Sequence, residues 1–177
     1  MNIVIIGSGN VGCYLSERLY ASGHRIIQIY SRNNTTGRKL AKKVSASFTS
    51  NPKSLNSEAD VYILAVNDDS IAEVARLIPN RQGIVLHTSG ASDLNIIAPF
   101  SSNFGVLYPL QSFASHQAWP DETTYCIEAN NRGTLARIKL LAESLQSKWV
   151  ALNSEKRAKL HVAAVVVNNF TNHLYAL

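Results

Sequence analysis

Short apolar runs recur along the chain and alternate with stretches in which apolar residues return every three or four positions. Residues 3–6, 25–30, 61–66, 84–87, 104–107 and 125–128 read as strands. Several are apolar at every position and lack the alternation of a half-wet strand, which marks parallel strands covered on both faces. Helical spacing runs over residues 11–22, 36–44, 71–78 and 134–147. Strand and helix alternating through short connections predict an α/β fold, a doubly wound, mostly parallel Rossmann sheet.

From residue 154 the pattern changes. SEKRAKLHVAAVVVNNFTNHLYAL opens with a serine cap signal and a charged turn, then stays helical to the last residue. Residues 162–167 are apolar on every side, and a helix with no wet face has to be covered by something. Little chain is left to cover it, and no glycine, asparagine or proline stops it. The expected organisation is therefore a Rossmann unit over 1–153 and, over 154–177, the first helix of an otherwise absent all-helical domain. A partner subunit could also cover the helix, which points to a homodimer built through it.

Composition changes this little. Of 177 residues 46% are hydrophobic and 16% charged, the balance of a soluble globular protein. The net charge of +5 is scattered except at residues 38–43, RKLAKK, which read as the solvated face of a helix. No basic stripe interleaves with aromatics, so nucleic acid is not an expected partner. The spacing of Cys13 and Cys126 suggests no metal site, two thiols do not make a disulfide framework, and they read as two reduced, buried thiols. No metal is expected. Neither a signal peptide nor an apolar run of membrane-spanning length is visible, so the expected location is cytoplasmic, with no membrane partner.

The three glycines after the first strand carry the chemistry. Gly7, Ser8, Gly9, Asn10, Val11 and Gly12 lie between an apolar strand and a helix. In that setting G-x-G-x-x-G binds dinucleotides: the first glycine makes the tight turn, the second admits the pyrophosphate, and the third lets helix pack on strand. The helix N-terminus adds amides and a favourable dipole. At the end of the second strand a carboxylate usually binds the ribose 2′-hydroxyl. This sequence has Ser31, Arg32 and Asn33 there instead. All three can donate to a 2′-phosphate that a carboxylate would repel, so NADP(H) is expected over NAD(H).

GSGNVG, YSRN, ILAVNDD at 63–69, HTSGA at 87–91 and YPLQSF at 108–113 occur in one order. Together they resemble a family of NADP-dependent oxidoreductases with a Rossmann-like domain and a helical C-terminal domain of unassigned function. Its wider relatives are pyrroline-5-carboxylate reductase, deazaflavin-coenzyme-dependent NADP oxidoreductase, ketopantoate reductase and the β-hydroxyacid dehydrogenases. The resemblance implies a further helical region, usually dimerising. It also implies that the loop of Val66, Asn67 and Asp68 passes over the cofactor ribose, although Asp68, Asp69 and Ser70 read equally as the cap of the next helix. Ser89 and Gly90 would present a hydroxyl and an amide beside the nicotinamide. Tyr108 and Pro109 read as an extended turn after a strand. Relatives often have histidine at position 108, and Tyr108 reads either as a phenolic donor or as a packing residue.

On the last helix, ketopantoate reductases and β-hydroxyacid dehydrogenases carry a catalytic lysine with an asparagine. This sequence resembles them through Asn169, with His161 where ketopantoate reductase has its lysine, and departs at Val165, where those families have asparagine. His161 reads either as a proton donor or as part of a polar face meeting the missing domain. No lysine-based mechanism carries over. The expectation is an NADP(H)-dependent oxidoreductase that transfers hydride between nicotinamide and a small carbonyl or imine substrate. The alternative is a dinucleotide-binding sensor or partner-binding module without turnover.

Overall fold

The centre of the molecule is set by the four residues Ile3, Val4, Ile5 and Ile6, none of which touches solvent. They form most of β1 (Asn2–Ile6), with β2 (Arg25–Tyr30) parallel on one side and β4 (Val61–Leu64) parallel on the other. The computed structural model describes residues 1–79, 82–113, 119 and 122–175, with side chains to residue 167. Its described strands make one sheet in the order β3-β2-β1-β4-β5-β6-β7-β8. Here β3 is Ser47–Thr49, β5 Ile84–His87, β6 Phe104–Pro109, β7 Tyr125–Ala129 and β8 Trp149–Ala151.

Two apolar layers cover the sheet. Side chains from α1 (Asn10–Ala21), α2 (Asn34–Lys43) and α4 (Arg132–Ser144), among them Leu15, Leu40 and Ile138, pack on Ile3 and Ile5. The other face takes Val4 and Ile6, against α3 (Ile71–Ala75), a 3-10 turn at Leu94–Ile97 and Leu160 of α5 (Ser154–Tyr175). Arg38, Lys39, Lys42 and Lys43 of α2 point to solvent.

The mostly parallel Rossmann sheet matches the pattern in the sequence, with several differences of detail. β3 and β8 escape a periodicity search because each is a three-residue edge strand, half wet. β7 runs antiparallel to β6 while β8 returns parallel to β7. Tyr108 and Pro109 belong to β6 itself, opposite Cys126 and Tyr125, rather than to a turn after it. The missing proline N–H costs nothing at a strand end, and the ladder continues through the Leu110 N–H to the Thr124 carbonyl at 2.8 Å. Asn153, not Ser154, caps α5: its side-chain oxygen accepts the Lys156 N–H at 3.0 Å. Cys126 is buried but Cys13 is only half-buried, and both thiols are free. No described helix is long and apolar enough to cross a membrane.

Candidate active site

The sheet winds in opposite directions from β1, towards β2 on one side and β4 on the other. That reversal opens a crevice at the carboxyl ends of the two strands. Gly7 leaves β1 at φ +114°, a conformation that a side chain strains, and its amide is held by the Tyr30 carbonyl at 2.8 Å. A Cβ on Gly7 would lie 2.8 Å from the Ala65 carbonyl carbon, and one on Gly12 would lie 3.0 Å from that of Gly7. These two glycines are required by the packing of the protein on itself. Gly9 is different: a Cβ there would meet nothing within 4 Å. It stands at the N-cap of α1, whose first turn has no side-chain cap and no acidic residue. The helix therefore presents its positive end to open space.

On the β2 side lies a cavity of about 510 Å³ lined by Gly7, Ser8, Gly9, Ser31, Arg32, Asn33 and Thr36. Three hydroxyls form a chain across its floor: Ser31 Oγ lies 2.8 Å from Ser8 Oγ, which lies 2.6 Å from Thr36 Oγ1. Ser31 is buried while Arg32 is exposed. The Asn33 side-chain oxygen is spent on capping α2, accepting the Thr35 and Thr36 amides at 3.0 and 3.1 Å. Thr36 is a cleft residue that pattern alone does not single out, because it sits at a position expected to open a helix.

On the β5 side lies a second cavity of about 510 Å³, lined by Gly9, Val11, Asp68, Ser89, Gly90, Tyr108 and His161 among others. The two cavities share Gly9, Ala65, Val66 and Asn67, so they form one continuous cleft. Asn10 stands at its edge with its side-chain amide donating to the Phe113 carbonyl at 2.9 Å. The Ser89 hydroxyl donates to Asp68 at 2.8 Å and accepts from the Ala91 and Ser92 amides at 3.1 and 2.9 Å. Asp68 is thus tied to the turn after β5, and does not cap a helix with its side chain.

At the far end Tyr108 Oη lies 2.9 Å from His161 Nδ1, with the two rings edge to face. Burial, then the neighbouring Cys126, pushes the phenol above its usual pKa, so it stays protonated and able to donate. Gly90 makes this pair possible. A Cβ there would sit 2.6 Å from the imidazole and 2.8 Å from the tyrosine ring. A smaller cavity of about 340 Å³ continues outward past Gln111, Ser112, Ala164 and Val165. Asn169 lies two turns beyond His161 on the backbone of α5, and its side chain lies outside the described residues.

His161 reaches the cleft from outside the sheet, and its helix is fixed at the base. Arg157, one turn earlier, is 0% exposed. Its guanidinium pairs with the Glu128 carboxylate on β7 and donates to the Ser92 carbonyl and, at 3.3 Å, to Ser154 Oγ. Glu128 also accepts the Ser154 amide and hydroxyl, both at 2.9 Å. Ser154 Oγ in turn accepts the Leu94 amide at 2.9 Å. Nothing in the spacing of the sequence joins Glu128 to Arg157, because the pairing spans 29 residues. Close by, His87 is fully buried and accepts the Ser89 amide on Nδ1 at 3.2 Å. Burial, followed by the Arg157 charge, pushes its pKa down to about 3, so the ring is neutral.

The chain matches two known families in succession. Residues 2–88 match the family described as NADP oxidoreductase coenzyme F420-dependent, and residues 123–177 match the Domain of unknown function (DUF2520). No curated protein matches. Among solved structures, a Bacteroides fragilis protein described as an NADP oxidoreductase is 36% identical with a TM-score of 0.92, over 99% of this chain and 69% of that one. Protein TM1727 of Thermotoga maritima is 26% identical with a TM-score of 0.73, over 97% of this chain and 65% of that one. The 1-pyrroline-5-carboxylate reductase of Streptococcus pyogenes shares the fold, with 15% identity and a TM-score of 0.69 over 88% of this chain and 59% of that one. The chain thus spans about two thirds of the length of the proteins it matches. On the extent of the Bacteroides match and the order of the two matched segments, the chain belongs to the family of NADP oxidoreductases that join a Rossmann domain to this domain of unknown function.

Proposed function

We propose that the protein transfers hydride between NADP(H) and a small carbonyl or imine substrate. The observation that carries this reading is the continuity of the cleft: a floor of hydroxyls with Arg32 at one end, the Tyr108–His161 pair at the other, and Gly9 between them. The pyrophosphate would pass over Gly9 and the first amides of α1. Ser31, Arg32 and Thr36 would take the 2′-phosphate, while Val66 and Asn67, which line both halves of the cleft, would flank the dinucleotide midway. Ser89 and Gly90 would border the nicotinamide. When bound, the nicotinamide supplies or accepts the hydride. The chain supplies the proton. With hydride delivered to the carbonyl carbon, the π pair would move to oxygen and take the Tyr108 proton. A His161 ring with its proton on Nδ1 would return one to the phenol oxygen across the 2.9 Å contact and be reprotonated from solvent.

Two copies of the chain are proposed to associate through α5. Val162, Val165, Val166 and Val167 are 60%, 42%, 58% and 66% exposed, on a helix whose inner face is already seated. Helix against helix about a two-fold axis would cover them.

The test is NADPH oxidation against a panel of keto acids, ketones, aldehydes and imines, with wild type and Tyr108→Phe. Turnover on one substrate class, lowered 10²–10⁴-fold by the substitution, is expected. Tight NADPH binding without turnover on any member would overturn the enzyme reading in favour of a dinucleotide sensor.

A further inference from the structure

We infer that Arg157 and Glu128 form a buried positioning pair that sets the rotation of α5 and thereby holds His161 in hydrogen-bonding register with Tyr108. The inference rests on the proposed role of His161. Arg157 and His161 are four residues apart, so they share one face of the helix. At the first position the guanidinium is fastened on three sides: to β7 through Glu128, to the turn after β5 through the Ser92 carbonyl, and to its own helix through Ser154. Both oxygens of Glu128 are used, by Ser154 and by Arg157. At the second position the imidazole rests against Gly90, with no room for even a methyl group between them.

These two observations together constrain the helix as a screw. Gly90 sets how closely α5 approaches, and the Arg157 fork sets how far it is turned. The planar guanidinium can meet a carboxylate and a carbonyl at once, which an ammonium cannot do in the same geometry. The pair touches neither the cleft nor any position proposed for the cofactor. A merely structural role would make it a stability element with no preference for the far end of the cleft. A positioning role makes it specific to His161.

The test uses the full chain with Arg157→Lys, which keeps the charge and loses the fork, and Glu128→Gln, which keeps the shape. The primary readout is the ¹⁵N and ¹H spectrum of the His161 ring, which reports its tautomer and its bond to the Tyr108 oxygen. NADPH affinity and thermal melting are measured beside it. In Arg157→Lys the His161 signals are expected to move towards those of Tyr108→Phe, while NADPH affinity stays within about twofold of wild type. Glu128→Gln serves if Arg157→Lys does not fold. Unchanged His161 signals in either folded variant overturn the inference, whether or not a substrate is known. Where a substrate is in hand, Arg157→Lys should lower kcat with KM nearly unchanged, and should cost nothing further in a His161→Gln background. Full additivity of the two losses would overturn it as well. If no substrate is turned over, the reading of the enzyme fails while the spectroscopic test still decides the positioning.

Discussion

Gly9 offers a direct separation of folding from binding. Replacing it with alanine puts a methyl group where the protein has no atom within 4 Å, and its φ of −77° and ψ of −175° suit any residue. Two small effects on stability then oppose each other. An alanine N-cap is poorer than glycine by about 1 kcal/mol, whereas the less flexible unfolded chain returns about 0.4–1 kcal/mol. The melting temperature should therefore barely move. Cofactor binding should behave otherwise. A side chain at this point forces the pyrophosphate off the α1 amides, and one lost charge-assisted hydrogen bond costs about 1.5–3 kcal/mol, or roughly 10- to 150-fold in affinity. Gly9→Val should do at least as much. Gly7→Ala and Gly12→Ala supply the contrast, since their methyl groups would collide with the Ala65 and Gly7 carbonyls. Overpacking of that kind costs about 1–3 kcal/mol of stability. NADPH titration by fluorescence, with thermal melting of the same samples, reads both quantities. Normal NADPH affinity in Gly9→Val would refute the reasoning, and the glycines would be a turn and nothing more.

NADPH should bind more tightly than NADH, and Arg32→Ala should weaken only NADPH, by about tenfold given the exposure of the residue; equal wild-type affinities for the two cofactors would remove the argument from Ser31 and Arg32. Sedimentation at tens of micromolar should find a dimer that Val166→Glu splits, since each valine buried is worth roughly 1.5–3 kcal/mol; a monomer in both cases would mean that α5 does not pair with itself. His87 titrates near 3 in the fold against 6.5 in the unfolded chain, so below pH 6.5 the unfolded state takes up a proton that the folded state refuses. Stability should fall by about 1.4 kcal/mol per pH unit from there down to about pH 3. Denaturant titrations across that range should show the slope flattened in His87→Asn, and parallel curves for the two proteins would contradict it.

The sheet was legible because its central strands have no wet face: runs such as Ile3–Ile6 leave no alternation to misread. The three-residue strands at both edges were not, since half-exposed residues such as Phe48 and Trp149 carry too little pattern. The orientation of β7 was invisible for another reason, because alternation within a strand carries no direction. In the cleft, local spacing pointed to Gly7, Gly9 and Gly12, each with its own surroundings in the structure. Tyr108 and His161 came to notice through the resemblance to known oxidoreductases rather than through spacing, and their contact across 53 residues did not. Arg157 and Glu128 left no trace. A buried ion pair formed between distant segments has no periodicity, and each partner alone reads as a surface charge.

The length of α5 turns its seating into a question of leverage. The helix has 22 residues, about 33 Å at 1.5 Å per residue, and it is clamped near its first turn. Taking Arg157 as the fulcrum, the short arm to His161 is about 6 Å and the long arm to Tyr175 about 27 Å. A tilt of about 5° therefore shifts the far end by about 2.4 Å and the imidazole by about 0.5 Å. Half an ångström is the tolerance within which a reacting constellation has to be held. Whatever grips the outer half of α5 thus works at a mechanical advantage of about four to five, steadying the histidine more finely than its own position is fixed.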